Sequence, residues 1–222
     1  MVQFPSNGHS CDGYLSVPAK GSGPGLIVVQ EWWGLVDHIK TLCDRFAAEG
    51  FVALAPDLYH GERTTSPDQA GKLLMALNIA AAGKDMRGAA TFLRGHGAVK
   101  PKKVGILGFC MGGQLALYAG QEFPDVIDAV VDFYGIHPKV EIVPGRVKVP
   151  VLGHFATRDK GTPPAAVQAL ASACRTAGGT FDVHEYEADH AFFNDTRPQV
   201  YDAAAATLAF SRTLTFLRKT LA

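Results

Sequence analysis

No charge of either sign is in excess in this chain, where 21 Lys and Arg face 21 Asp and Glu. Without a basic surplus, neither nucleic acid nor an anionic membrane is expected as the main partner. Long apolar runs are also missing. No stretch reaches the roughly 18 consecutive apolar residues of a membrane span. The opening MVQFPSNGHSCDGYL has no basic segment followed by an apolar one, so it is not read as a signal peptide. Cysteine is sparse and scattered. Cys11, Cys43, Cys110 and Cys174 form no C-x-x-C pair, which removes the closely spaced ligands of a usual zinc site. A disulfide framework belongs to small secreted chains. Cys43 and Cys174 read as buried free thiols. A cytoplasmic protein follows as the expectation. No internal repeat, charge block or low-complexity linker breaks the sequence. The loop-forming AKGSGPG (Ala19 to Gly25) is too short and too early to separate domains. Residues 1–222 therefore read as one domain with one sizeable core, and a monomer is the expected form.

What is present is an alternation of two patterns. VQF and GYLSV flank Gly8 as a possible hairpin. GLIVVQ (Gly25 to Gln30) is a continuous apolar run, as in a strand covered on both faces. DHIKTLCDRFAAEG reads as a helix, with Asp37 as its N-cap and Gly50 as its terminating glycine. FVALAP is a further buried strand, and Pro67 to Gly95 reads mostly as helix with an irregular stretch around Ala80 to Gly83. KVGILG, DAVVDFYG and VPVLGHFA continue the strands, and MGGQLALYAGQ and PPAAVQALASACRTAGG the helices. FDVHEYEA alternates polar and apolar residues, as in a strand nearer the sheet edge. PQVYDAAAATLAFSRTLTFLRK reads as a long closing helix. Strands separated by helices predict an α/β fold with a mostly parallel sheet and helices on both faces. Ligands of such sheets bind beyond the carboxyl ends of the strands.

Those positions hold reactive residue types. Glu31 follows GLIVVQ, Cys110 follows KVGILG, Asp159 follows VPVLGHFA and His190 follows FDVHEYEA. GFCMG has the G-x-S-x-G form with cysteine replacing serine. That motif bends the chain sharply between strand and helix and raises the nucleophile above the sheet. The Met111 N–H, at the helix start, is placed to stabilise an oxyanion. A thiol is mostly protonated at neutral pH and needs a base. His190 fits that need, and Asp159 would orient it and stabilise its cation. The order nucleophile, acid, histidine is that of α/β-hydrolases. Each residue also has a plainer reading: a buried thiol in a glycine-rich turn, a surface histidine, a solvated aspartate beside Arg158 and Lys160. Glu31 is open between a poorly solvated carboxyl, which burial would keep protonated, and a strand-end carboxylate that reaches water. Trp32 and Trp33 read either as packing or as pocket walls. His60, His137 and His154 read as structural or surface residues.

The sequence resembles the dienelactone hydrolase family of α/β-hydrolases. The likeness rests on GLIVVQEWWGL, GFVALAPDLY, KVGILGFCMGG, the Asp159 loop and DHAFFNDTRPQVYDAAAATLAFSRTLTFL. It covers nearly the whole chain from about Gly13. It implies an α/β-hydrolase fold without a large lid, a Cys110–His190–Asp159 triad, and no metal or organic cofactor. It further implies that Glu31 pairs with the thiol and helps to form the thiolate when substrate binds. The Trp32 N–H would then join that of Met111 in the oxyanion hole. Dienelactone-specific members hold the substrate carboxylate with arginines, one of them four residues beyond the catalytic histidine. Here that position is Asn194, and Arg197 lies three residues further on. For the second arginine, expected after APDLY, the chain offers Arg63 and Lys72.

The resulting expectation is a cysteine-dependent hydrolase of small esters or lactones, of the carboxymethylenebutenolidase type. A carboxylesterase or thioesterase with the same machinery is the alternative. A non-catalytic metabolite-binding protein is the rival from another class, which would have no need of Cys110, His190, Asp159 and Glu31 together.

Overall fold

The computed structural model describes all 222 residues. Its strands form one eight-stranded sheet in the order β1-β2-β4-β3-β5-β6-β7-β8. The strands are β1 (Val2–Ser6), β2 (His9–Ser16), β3 (Gly23–Val29), β4 (Val52–Pro56), β5 (Val99–Phe109), β6 (Ala129–Phe133), β7 (Val151–Ala156) and β8 (Phe181–Tyr186). β1 and β2 form the antiparallel hairpin, turning at Asn7 and Gly8, both with positive φ. β2 also runs antiparallel to β4. Every other pairing is parallel. FDVHEYEA does form an edge, as β8.

The continuous apolar strands are explained by burial on both faces. In β3, Ile27 and Val29 pack into one core while Leu26 and Val28 pack into the other. In β5, Val104 and Ile106 face the first core, and Leu107 and Phe109 the second. This two-residue alternation follows from the strand pleat. Helices α3 (Ile79–Gly95), α4 (Met111–Glu122) and α5 (Pro164–Thr176) cover the first face through residues such as Met86, Leu115 and Ala171. Helices α1 (Asp37–Ala48) and α6 (Ala203–Thr220) cover the second through Ile39, Leu42, Ala209 and Leu217. α2 (Pro67–Ala76) buries only Ala70. No helix is long and apolar enough to cross a membrane.

Three boundaries differ from the sequence reading. Asp37 is the first residue of α1, not its cap; the cap position is Val36, and the Asp37 carboxylate pairs with Lys40 at 2.9 Å. The acid still lies where the helix dipole favours it. The break in the 67–95 region falls at Leu77–Asn78 rather than around Ala80 to Gly83. The Asn78 side chain accepts the Ala81 N–H at 3.1 Å and so starts a new helix. The closing helix begins at Ala203, because Asp202 accepts the Ala205 N–H at 2.9 Å as its cap.

The central pair of strands, β3 and β5, is where the chain departs in opposite directions. From β3 it goes to β4 on one side, and from β5 to β6 on the other. A crevice opens at such a switch point, and Glu31 and Cys110 stand at the ends of these two strands.

Candidate active site

The turn between β5 and α4 is built by its glycines. A Cβ on Gly108 would overlap the Gly112 carbonyl, and one on Gly112 would overlap the Gln30 carbonyl. Only hydrogen fits at either position, so the chain can fold back on itself directly after the strand. Cys110 occupies the apex with φ 55° and ψ −121°, a sparsely populated conformation for a residue with a side chain. It is held there from three directions. Its N–H donates to the Phe133 carbonyl at 3.0 Å, and its own carbonyl accepts from Gly113 at 3.0 Å and Ile136 at 3.2 Å. The thiol is half-buried, whereas Cys11, Cys43 and Cys174 are fully buried.

His190 stands beside the thiol. Its Nδ1 lies 2.5 Å from Asp159 Oδ2, and its ring lines the same cleft as the Cys110 thiol, close enough for the thiol to act on its charge. Burial alone would lower its pKa, but the bond to Asp159 and the nearness of Cys110 outweigh this and raise it from 6.5 to about 10. The Tyr134 ring packs edge-on against the imidazole at 5.1 Å between centroids. Asp159 is buried, with its acceptors occupied. Gly161 N–H donates to Oδ1 at 2.8 Å, and Thr162 Oγ1 donates to Oδ2 at 2.6 Å. Burial would raise this carboxyl, yet the bonds from His190 and Thr162 bring it down to about 2. Both shifts favour the charged forms, carboxylate at Asp159 and imidazolium at His190.

Glu31 is 2 % exposed, which decides its open reading in favour of the poorly solvated carboxyl. Burial raises its pKa, against the opposing effects of a hydrogen bond from Asn194 and the charges of His190 and Arg197. Asn194 Nδ2 donates to Glu31 Oε2 at 2.8 Å, and Asn194 Oδ1 accepts from the Thr196 hydroxyl at 2.6 Å. The residue at the expected arginine position is thus occupied in fixing Glu31. The N–H of Trp32, after Glu31, and that of Met111, first in α4, make no hydrogen bond within the chain.

These groups share a cleft of about 320 Å³ whose wall includes Glu31, Trp32, Trp33, Cys110, His190 and Arg197. Trp33 is a wall residue, and the Arg197 guanidinium lies 5.1 Å over its ring. Arg63 is not brought to the cleft; it is exposed, with its backbone packed on the Gly34 turn. A neighbouring cavity of about 430 Å³ shares Ile136, Pro138 and Gly161 with the cleft, leaving room beside the thiol. His154 is structural: fully buried between the Tyr186 hydroxyl at 2.8 Å and Thr213 Oγ1 at 3.0 Å.

Sequence reasoning missed Thr162, Asn194 and Tyr134. The Asp-x-x-Thr spacing from Asp159 is a signal for the first, since such aspartates commonly fold over their own turn. The other two carry no local signal, because Asn194 and Glu31 meet only through the tertiary fold.

Glu31 and the Cys110 thiol line the same cleft, and whatever negative charge Glu31 carries there opposes ionisation of the thiol. Glu31→Gln removes the group that would do so here. Iodoacetamide labelling of Cys110 is expected to rise at lower pH in Glu31→Gln than in the wild type, since the thiolate is the reactive form. Coinciding rate–pH curves would mean that Glu31 does not act on the thiol.

The whole chain aligns with the protein usf of Aquifex pyrophilus at 40% identity, covering 98% of that protein. A relative from Aquifex aeolicus, provisionally named a carboxymethylenebutenolidase, is 36% identical over 98% of this chain and 97% of its own. Among solved structures, a provisionally named dienelactone hydrolase from Klebsiella pneumoniae superposes with a TM-score of 0.85 at 30% identity, covering 96% of this chain and 95% of that one. The model of the dienelactone hydrolase family matches residues 11–221. With the fold, the glycine-built turn and this extent of likeness together, the chain belongs to the dienelactone hydrolase family.

Proposed function

We propose that this protein hydrolyses small esters or lactones through Cys110. The observation that carries the reading is His190, bonded to Asp159 and facing the same cleft as the Cys110 thiol at the switch point. Cys110 attacks the substrate carbonyl carbon as the thiolate, its proton held on His190; a C–S bond forms, and the carbonyl electron pair moves onto oxygen. The unpartnered N–H groups of Met111 and Trp32 are the donors available to that oxyanion. As the tetrahedral species collapses, the C–O bond breaks and His190 gives its proton to the leaving oxygen. An alcohol departs from an ester; in a lactone the hydroxyl stays tethered to the acyl group. His190 then takes a proton from water as the water attacks the thioester, which releases the acid and restores Cys110. Asp159, and behind it Thr162, hold the imidazole in the tautomer and orientation these transfers need. The same steps serve a carboxylesterase or thioesterase, which keeps that alternative open to the substrate test below.

The cleft wall carries one arginine, Arg197. Its charge already acts on buried Glu31 and its face stacks on Trp33. A substrate carboxylate would have to compete for it, and burying a poorly paired charge is costly. Neutral substrates are therefore expected to be hydrolysed at least as well as the dienelactone. The test is kcat/KM on 4-carboxymethylenebutenolide, a neutral butenolide, a short-chain aryl ester and a short-chain thioester. A strong preference for the dienelactone that Arg197→Ala abolishes would overturn the substrate assignment. No turnover of any of the four would instead favour the metabolite-binding protein.

A further inference from the structure

Away from the cleft, His9 at the start of β2, His60 in the turn after β4, and Asp85 within α3 bring their ligand atoms within 4.8 Å of one another. Asp85 is the unusual member. It is fully buried in α3, and neither Lys nor Arg forms an ion pair with it. Oδ1 accepts from the Ser6 hydroxyl at 2.5 Å. Oδ2 is buried and has no hydrogen-bond partner, although it lies 3.2 Å from His60 Nε2. A buried carboxylate oxygen with neither donor nor fixed cation is costly, so something else is expected to meet its charge.

The distances indicate what that is. Zinc bonds to imidazole nitrogen and carboxylate oxygen at about 2.0–2.2 Å, which sets neighbouring ligand atoms of a tetrahedral site about 3.3–3.5 Å apart. Asp85 Oδ1 is 3.5 Å from His9 Nε2, and Asp85 Oδ2 is 3.2 Å from His60 Nε2. Both imidazoles use Nε2, and their rings meet edge to face at 5.3 Å. His60 adopts φ 51°, a backbone conformation uncommon outside glycine. The two histidines are about half exposed, at 41% and 49% of their side chains. The buried carboxylate therefore forms the floor, and the open side faces water, which can complete the coordination. Two imidazoles and one carboxylate suit zinc and its divalent neighbours rather than magnesium or calcium.

We propose that His9, His60 and Asp85 form a binding site for a divalent transition-metal ion of the zinc class, separate from the Cys110 cleft. The ion ties together the hairpin, the turn after β4 and α3, three elements that are distant in sequence. Its place is structural, and the hydrolytic cycle does not pass through it.

Zn²⁺ binding is measured by competition with a chromogenic chelator at neutral pH, in the Cys110→Ala background so that the cleft thiol does not bind the metal. One Zn²⁺ per chain is expected, with a rise in Tm on addition, and Co²⁺ should give visible ligand-field absorption. His9→Ala and His60→Ala alter half-exposed side chains and should fold. Each is expected to weaken Zn²⁺ by at least about tenfold and to abolish the Tm rise. In an otherwise wild-type chain, both should leave ester hydrolysis by metal-free protein unchanged. No binding in the Cys110→Ala protein, or equal binding in the His9→Ala and His60→Ala variants, would overturn the proposal: the histidines and Asp85 would then form hydrogen-bonded pairs only.

Discussion

Cys110→Ala is expected to lose at least about ten-thousandfold in kcat/KM on whichever ester or lactone the wild type turns over best. Removing a nucleophile that acts as one unit with its base costs on this scale in hydrolases that form an acyl intermediate. The fold should survive. Cys110 is only half-buried, and its unusual backbone is held by Phe133, Gly113 and Ile136 through main-chain bonds that alanine keeps. The other three thiols supply the control. Burial pushes Cys11 up to about 12 and Cys43 higher still, and it raises Cys174 as well. None of these is a thiolate at neutral pH, so Cys11→Ala, Cys43→Ala and Cys174→Ala should keep most of the activity while losing some stability to the cavities left behind. Wild-type turnover by Cys110→Ala would remove the mechanism.

Asp159→Asn is expected to be the next most damaging change, at about a thousand- to ten-thousandfold in kcat/KM. An amide at this position cannot stabilise the His190 cation and can hold the ring in the wrong tautomer. The stability effect has its own pH signature. His190 has a folded pKa above its ordinary 6.5, so its contribution is complete below pH 6.5 and fades as pH rises toward about 10. Asp159 has a folded pKa below its ordinary 3.8, so its contribution is complete above pH 3.8 and is lost as pH falls toward about 2. The difference in Tm between wild type and Asp159→Asn should accordingly be largest between about pH 4 and 6.5 and shrink on either side. A difference that does not vary with pH, together with full activity, would move the acid elsewhere, with Asp189 and Asp195 the nearest candidates in sequence.

Most of the fold is legible in the sequence because burial on both faces writes itself as uninterrupted apolar runs. GLIVVQ, FVALAP and KVGILG each become parallel strands, and the alternating FDVHEYEA becomes an edge. The helix starts were less legible. Asp37, Asn78 and Asp202 are all residue types that cap helices, but only the folded backbone decides which of them accepts an N–H. The strand ends mark Glu31, Cys110, Asp159 and His190 in the sequence, and the fold brings all four to one cleft; the glycines mark the turn. The Asn194–Glu31 bond spans 163 positions and had no local trace. That position 194 holds asparagine in place of arginine is plain in the sequence, but not that its amide binds Glu31. Likewise, His60 carries no more than a structural or surface reading in the sequence, because its neighbours His9 and Asp85 reach it only across the hairpin and α3.

The central claim is that an acyl group passes through Cys110, and rapid-quench mass spectrometry tests it most directly. Wild-type protein is mixed with a short-chain aryl ester, quenched in acid during the first turnover, and digested for peptide mapping. The account predicts a mass increase equal to the acyl group on the peptide containing Cys110, appearing with the burst of phenol and absent from Cys110→Ala. A phenol burst with the acyl group on any other residue would contradict it.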